Sequence, residues 1–282
     1  MVDPNVAFYG WEAVPRDPDV LFKGHPTASG DHPKQDLFTV EDFPLPESPL
    51  VDQVRDFVKK ELDVPTFNHS NRVYVYGAAL VKTHFPAWIY DNETYYLACL
   101  LHDIGTAEKY LATTKMSFEF KGAIVARDLI LQLGGIEDQA DSVCDAIVRH
   151  QDIFVKGGNI TQVFIYLMDL SVYNASPQIG QALQLATILD NVGMCALRPS
   201  TYVLPYVLFS RANLIHPKLI ETTVAVFPRI GWSEHFGTVI EKELSLKPWC
   251  HTTTFEIPNW TPGTSSNFAT DVRGNDVMRA FD

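Results

Sequence analysis

From residue 48 onward, apolar and polar positions alternate with a helical period. Leu50, Val51, Val54, Phe57, Val58 and Leu62 fall at offsets 0, 1, 4, 7, 8 and 12, which puts them on one helix face. Ser48 before Pro49 has the form of an N-cap followed by a proline in the first turn. The same reading predicts further helices over about 67–84, 93–105, 117–133, 137–150, 160–174, 178–196, 217–227 and 232–246, with Ser117 as the cap of the one over 117–133. No Asn-Gly or Asp-Gly turn joins two alternating runs, and no fixed-period repeat is present. The pattern predicts an all-α domain.

Both ends lack this pattern. Residues 1–47 hold Pro4, Pro15, Pro18, Pro26, Pro33, Pro44 and Pro46, which predicts an extended arm with one short helical turn. Residues 24–36 read as a surface loop or disordered insertion. From 257 to 282 the chain gains Pro, Gly, Ser and Asn, and an extended or disordered tail is expected. The expected organisation is an arm over 1–47, a helical catalytic domain over 48–256 and a tail over 257–282.

Composition narrows the function. The 22 basic side chains stand against 34 acidic ones, a formal net charge of −12, which disfavours nucleic acid and anionic membranes as partners. The longest apolar stretches, around Tyr95–Leu101 and Tyr202–Phe209, are too short for a membrane span. No secretory signal is expected at the N-terminus. Cys99, Cys144, Cys195 and Cys250 lie far apart, which favours free thiols in a reducing compartment. A cytoplasmic location follows as the expectation, with the nucleus open. A small-molecule substrate fits this picture. The arm is also the type of element that wraps a second subunit, so a homo-oligomer stays open.

The chemistry gathers around His102-Asp103, which ends the apolar run Ala98–Leu101 just before Gly105. A carboxylate at a buried helix end needs a partner, and a divalent cation is one. His69 lies in the predicted helix 67–84, and His150 closes 137–150. Thr187 and Asp190 stand three apart in 178–196, where they share a face. Bundle interiors are where such ligands converge. The quieter alternatives are helix-end histidines at His69 and His150, a buried hydrogen-bond acceptor at Asp190 and a pocket-closing or packing role at His251.

The set His69, His102-Asp103 and a later Asp resembles the HD superfamily of all-α metal-dependent hydrolases. More closely, Asn68-His-Ser-Asn-Arg-Val-Tyr74, Leu100-Leu-His-Asp-Ile104, Ala112–Glu119, Ile147–Asp152, Ala186–Gly193 and Lys247–Thr253 resemble the fungal cyanamide hydratase family, over about 45–255. That resemblance implies an HD-type helical bundle, a single Zn2+ and addition of metal-activated water to the carbon–nitrogen triple bond of cyanamide, giving urea. Position by position, His69, His102 and Asp103 match the metal ligands. Thr187 follows Ala186 where the usual HD pattern has an Asp, which leaves a coordination place for water. Lys121 before Gly122, where binuclear relatives carry a His, favours one ion over two.

In this reading His150, Thr187 and Asp190 are the candidate catalytic residues. His150 or Asp190 would supply or relay a proton, with Asp190 also a candidate support behind the ligands. Thr187, Gln151, Asn191 and Lys115 are candidates for holding substrate or water. Iron or manganese stays open beside zinc, because two His and one Asp suit several divalent ions. The competing functions are an HD phosphohydrolase of a nucleotide or small phosphate ester, a hydratase of another small nitrile-like molecule and a non-catalytic binding protein. Arg72, Lys115, Lys121 and Arg149 are the cations in the motif segments that could serve a phosphate.

Overall fold

The computed structural model describes residues 4–15, 37–151, 175–192, 215–255 and 268–282. Among these residues eight longer helices form the body: α1 (Pro49–Glu61), α2 (Val64–His84), α3 (Asn92–Leu101), α4 (Phe118–Gln132), α5 (Glu137–Arg149), α6 (Gln178–Val192), α7 (Pro217–Val226) and α8 (Trp232–Leu246). The one paired-strand element among the described residues is short. Ala13–Pro15 runs antiparallel to Ala175–Pro177, which ties the arm to the start of α6. The expected all-α architecture is found. The helix expected over 160–174 lies outside the described residues.

Helix starts follow from local chemistry. Ser48 Oγ accepts from the Val51 amide at 3.1 Å, and Pro49 opens α1. Asp63 accepts from the Thr66 amide at 3.0 Å and starts α2; Asp91 accepts from Thr94 at 2.9 Å and starts α3. Helix α4 ends in a Schellman arrangement, with Gly134 N bonded to the Leu131 carbonyl and Gly135 N to the Ile130 carbonyl. Gly134 takes φ +88° there, a conformation that favours glycine.

Helix α2 runs through the middle and packs on α1, α3, α6, α7 and α8. It is buried nearly all round, polar residues included, so its sequence shows no clean apolar stripe. The main hydrophobic core joins Val51, Val73, Tyr76, Leu97, Leu101, Ile147, Ala182 and Leu189. A smaller second core gathers Phe118, Trp232, Phe236, Ile240, Phe268 and Val272.

Two contacts correct the expectations. Residues 268–282 are neither extended nor disordered: they form short helices over Phe268–Arg273 and Asp276–Arg279, with Phe268, Ala269 and Val272 buried in the second core. Each helix is too short for a periodic pattern to register. Ser117 stands at the start of α4 without capping it. Its Oγ instead accepts from the His251 amide at 2.8 Å, and Glu243 accepts from the Phe118 amide at 2.7 Å. Among the described residues no helix is long and apolar enough to cross a membrane.

Candidate active site

Three helix segments bring the ligand-type residues together where the two cores meet. His69 comes from the second turn of α2. His102 and Asp103 come from the turn that ends α3, and His150 from the end of α5. The turn after Asp103 is pinned by backbone contact. A Cβ on Gly105 would lie 1.9 Å from the Phe118 carbonyl oxygen, so only glycine lets α4 approach this closely.

The Nε2 atoms of His69 and His102 are 3.1 Å apart; Asp103 Oδ2 lies 3.6 Å from the first and 3.1 Å from the second. Donors about 2.1 Å from a shared ion at tetrahedral angles would be about 3.4 Å apart, so this triangle has the right size. His69, His102 and Asp103 are the one group among the described residues able to hold a metal ion in this way.

The imidazoles are oriented from behind. His69 Nδ1 donates to Asp190 Oδ2 at 2.6 Å, and His102 Nδ1 donates to the Cys99 carbonyl at 2.8 Å. With Nδ1 carrying the proton in each ring, both Nε2 lone pairs face the shared point. His150 is held likewise: Nδ1 donates to the Ile147 carbonyl at 2.6 Å, and Nε2 lies 3.8 Å from Asp103 Oδ1. Both Asp103 oxygens are buried and without a hydrogen-bond partner among the described residues. A buried carboxylate with so few partners is what a cation offsets, so the donor set fits a divalent metal.

The charges agree with that fit at His69, His150 and Asp103, and His102 is the exception. Burial pushes the His69 pKa down to about 4 and that of His150 to about 3, so both rings are neutral near pH 7. Burial also opposes the charge on His102, but the neighbouring Asp103 outweighs it and raises its pKa. Burial works against ionised Asp103, yet His102 first, then His69 and His150, hold it well below the usual carboxylate range.

The other candidates separate on inspection. Asp190 receives His69 Nδ1, Arg72 Nε and Nη2, and Arg229 Nη1, the last at 2.8 Å to Oδ1. These donors use up its lone pairs, so Asp190 supports His69 and has none to offer a substrate proton. Asn191 Oδ1 accepts from Trp232 Nε1 at 2.9 Å, which directs it to the indole. Thr187 is buried one turn before Asp190, and its hydroxyl donates to the Gln184 carbonyl at 3.0 Å. Gln151 is buried beside His150 and accepts from Thr252 at 3.4 Å. Lys115 is exposed, and its carbonyl accepts from Trp249 Nε1 at 2.9 Å; nothing draws its ammonium to the buried cluster.

Sequence reasoning missed Arg229, Trp232 and Asp282. Trp232 lies flat on His69, with ring centroids 4.1 Å apart and planes 13° apart. Arg229 is fully buried between Asp190 and Asp282. A charged residue beside Pro228 and a tryptophan in a helix carry no local signal of either role. His251 donates toward a buried carboxylate, Glu119 Oε1, at 2.7 Å and stacks on Phe120. A cleft of about 380 Å3 on the outer face includes Thr66, one turn before His69, and Thr106, whose hydroxyl bonds the Asp103 carbonyl at 2.7 Å.

The HD domain family matches residues 66–192, a span that contains His69, His102, Asp103, His150 and Asp190. Two cyanamide hydratases of Saccharomyces cerevisiae, DDI2 and DDI3, are each 38% identical to the chain over 245 residues, covering 86% of this chain and 90% of the relative. With its buried His-His-Asp group, the chain belongs to the cyanamide hydratase family of HD-domain proteins and is a metal-dependent hydro-lyase.

Proposed function

We propose that the protein hydrates cyanamide to urea at a single zinc ion held by His69, His102 and Asp103. The observation that carries this reading is the convergence of two Nε2 lone pairs and a buried carboxylate, with both Nδ1 protons already committed elsewhere. When bound, the ion supplies a Lewis acid and makes water acidic enough to act as a nucleophile near neutral pH. The reaction forms a carbon–oxygen double bond at the nitrile carbon and breaks both carbon–nitrogen π bonds. Both protons of the water finish on the former nitrile nitrogen.

His150 is suited to carry protons between those atoms. Its Nδ1–H is fixed on the Ile147 carbonyl, so Nε2 starts as a base beside Asp103, accepts a proton from water and returns it to nitrogen. The Thr187 hydroxyl spends its proton on Gln184, so its oxygen accepts from the amino group of cyanamide. Burial of the whole group excludes bulk water and favours a substrate of few atoms. Asp190 and Asn191 act from behind, on His69 and Trp232, and Lys115 stays outside.

A phosphate ester finds little support. Arg72 is committed to Asp190 and two carbonyls, Arg149 to Asp145, and Lys121 lies over Tyr110. Phosphate recognition calls for cations free to make such bonds. The test is urea formation from cyanamide by purified protein of measured zinc content, beside a His102→Ala variant. Urea from the parent and none from the variant supports the reading; no urea from zinc-loaded parent rejects cyanamide as the substrate.

A further inference from the structure

Residues 268–282 reach His69 by two separate routes. One is a chain of charges. Asp282 Oδ1 accepts from Arg229 Nε at 2.5 Å, and Asp282 Oδ2 accepts from the Ser233 amide at 3.2 Å. Arg229 Nη1 then donates to Asp190 Oδ1 at 2.8 Å and to the Asp190 carbonyl at 3.0 Å. Asp190 Oδ2 in turn receives His69 Nδ1. The other route is a stack of rings. Phe268 meets Phe236 edge-on at 6.2 Å; Phe236 stacks on Trp232 at 5.0 Å, and Trp232 stacks on His69.

The charge count gives Asp282 its importance. Arg72, Arg229 and Asp190 have fully buried side chains, two cations against one anion. That group sits directly behind a histidine whose other face looks at the place for a divalent cation. An uncompensated positive charge there would oppose the ion through a medium that screens poorly. It would also draw Asp190 toward Arg229 and away from His69 Nδ1, which lowers the basicity of the ring. Asp282 is the second anion, and from the edge of the buried group its carboxylate, 15% exposed, balances the charge of Arg229.

We infer that Asp282 is a positioning residue for the metal centre: by neutralising Arg229 it keeps Asp190 directed at His69 Nδ1, and so keeps His69 Nε2 directed at the ion. This rests on His69 being a metal ligand, as proposed above. It assigns to the 268–282 segment a share in metal affinity, separate from its share in packing.

The test compares the full chain with Asp282→Asn, Asp282→Glu and Glu241→Gln. Glu241 pairs with Arg273 at 2.9 Å and also fastens this segment to α8, yet it touches nothing in the charge chain. Three quantities are read: zinc affinity by competition with a chromophoric chelator, the visible absorption of the cobalt(II)-substituted protein, and the unfolding midpoint of the metal-free protein. Asp282→Asn is expected to bind zinc up to about 10-fold more weakly, the low end of the effect of losing a direct partner of a ligand because Asp190 and Arg229 stand between it and His69, and to alter the cobalt bands. Asp282→Glu should recover most of both, and Glu241→Gln should match the parent in both. An Asp282→Asn protein that unfolds earlier but keeps the parent's zinc affinity and cobalt spectrum would overturn the inference. A parent that takes up neither ion would overturn the metal reading, and this inference with it.

Discussion

The indole of Trp232 covers one face of the His69 imidazole at 4.1 Å and is itself held by a bond from Nε1 to Asn191. The ring that aims Nε2 at the ligand triangle is thus fixed by contact across its plane and by Asp190 along its edge. Trp232→Ala should cost about 3–5 kcal/mol through the cavity it leaves. Trp232→Phe keeps a ring on His69 but strips Asn191 of its donor, for about 1–3 kcal/mol. Urea unfolding of both variants checks this, and a Trp232→Phe protein as stable as the parent would assign the indole bond no weight.

Asp190→Asn should be among the most damaging conservative changes in the chain. It leaves Arg72 and Arg229 buried without their carboxylate, a loss of about 3–5 kcal/mol. His69 also loses an anionic acceptor at Nδ1, so metal affinity should fall about 10–100-fold. Denaturant unfolding and chelator competition read the two effects separately. Unfolding at the parent's denaturant concentration would contradict the first.

Gly105→Ala and Gly134→Ala should both destabilise, for different reasons. At Gly105 the new methyl meets the Phe118 carbonyl, so α4 must move off the turn that carries Asp103, at a cost of about 1–3 kcal/mol or more. At Gly134 no atom stands in the way, and only the left-handed backbone is strained, by about 1–2 kcal/mol. Chelator competition should therefore find weaker metal binding in the first variant and parental binding in the second.

Acid should weaken the metal-free fold from about pH 6.5 downward. His69 and His150 have folded pKa values near 4 and 3, below the 6.5 of a free imidazole, so the unfolded chain binds more protons in that window. Their contribution is complete above 6.5 and is lost as the pH falls toward those values. Asp190, held well below 3.8 despite its burial by Arg72 and Arg229, adds a second loss that begins near pH 4. His102 works in the opposite sense, since its folded pKa is raised, but it is one ring against two. Urea midpoints at pH 7, 5.5 and 4.5 test this. A flat profile between 7 and 4.5 would contradict it, and His150→Gln should flatten the upper part.

The sequence made the bundle legible where helices are amphipathic or capped by a short side chain, as at Ser48. His102-Asp103 stands out as chemistry at the end of an apolar helix, whereas His69 joined it through the family resemblance rather than through any local pattern. The support behind the triangle was not legible. Asp190 was recognisable as a candidate, yet its use depends on Arg229, which lies 39 residues on and outside any helix. Asp282 lies 53 residues beyond Arg229, in a stretch whose two helices are too short to show a period. Long-range pairing of buried charges leaves no local pattern in a chain.

The meeting of two cores at the ligand triangle also sets how the site opens. His102 sits at the end of a helix enclosed by the larger core, whereas the cover on His69 belongs to the smaller one, built around Trp232, Phe236 and Phe268. Among the described residues the smaller core buries fewer side chains, so its amides should exchange with solvent ahead of those of α2 and α3. An opening of that kind lifts the aromatic cover and leaves the triangle's own helices in place. Ion entry and loss then become local, one-sided events, with a rate set by the second core rather than by global unfolding.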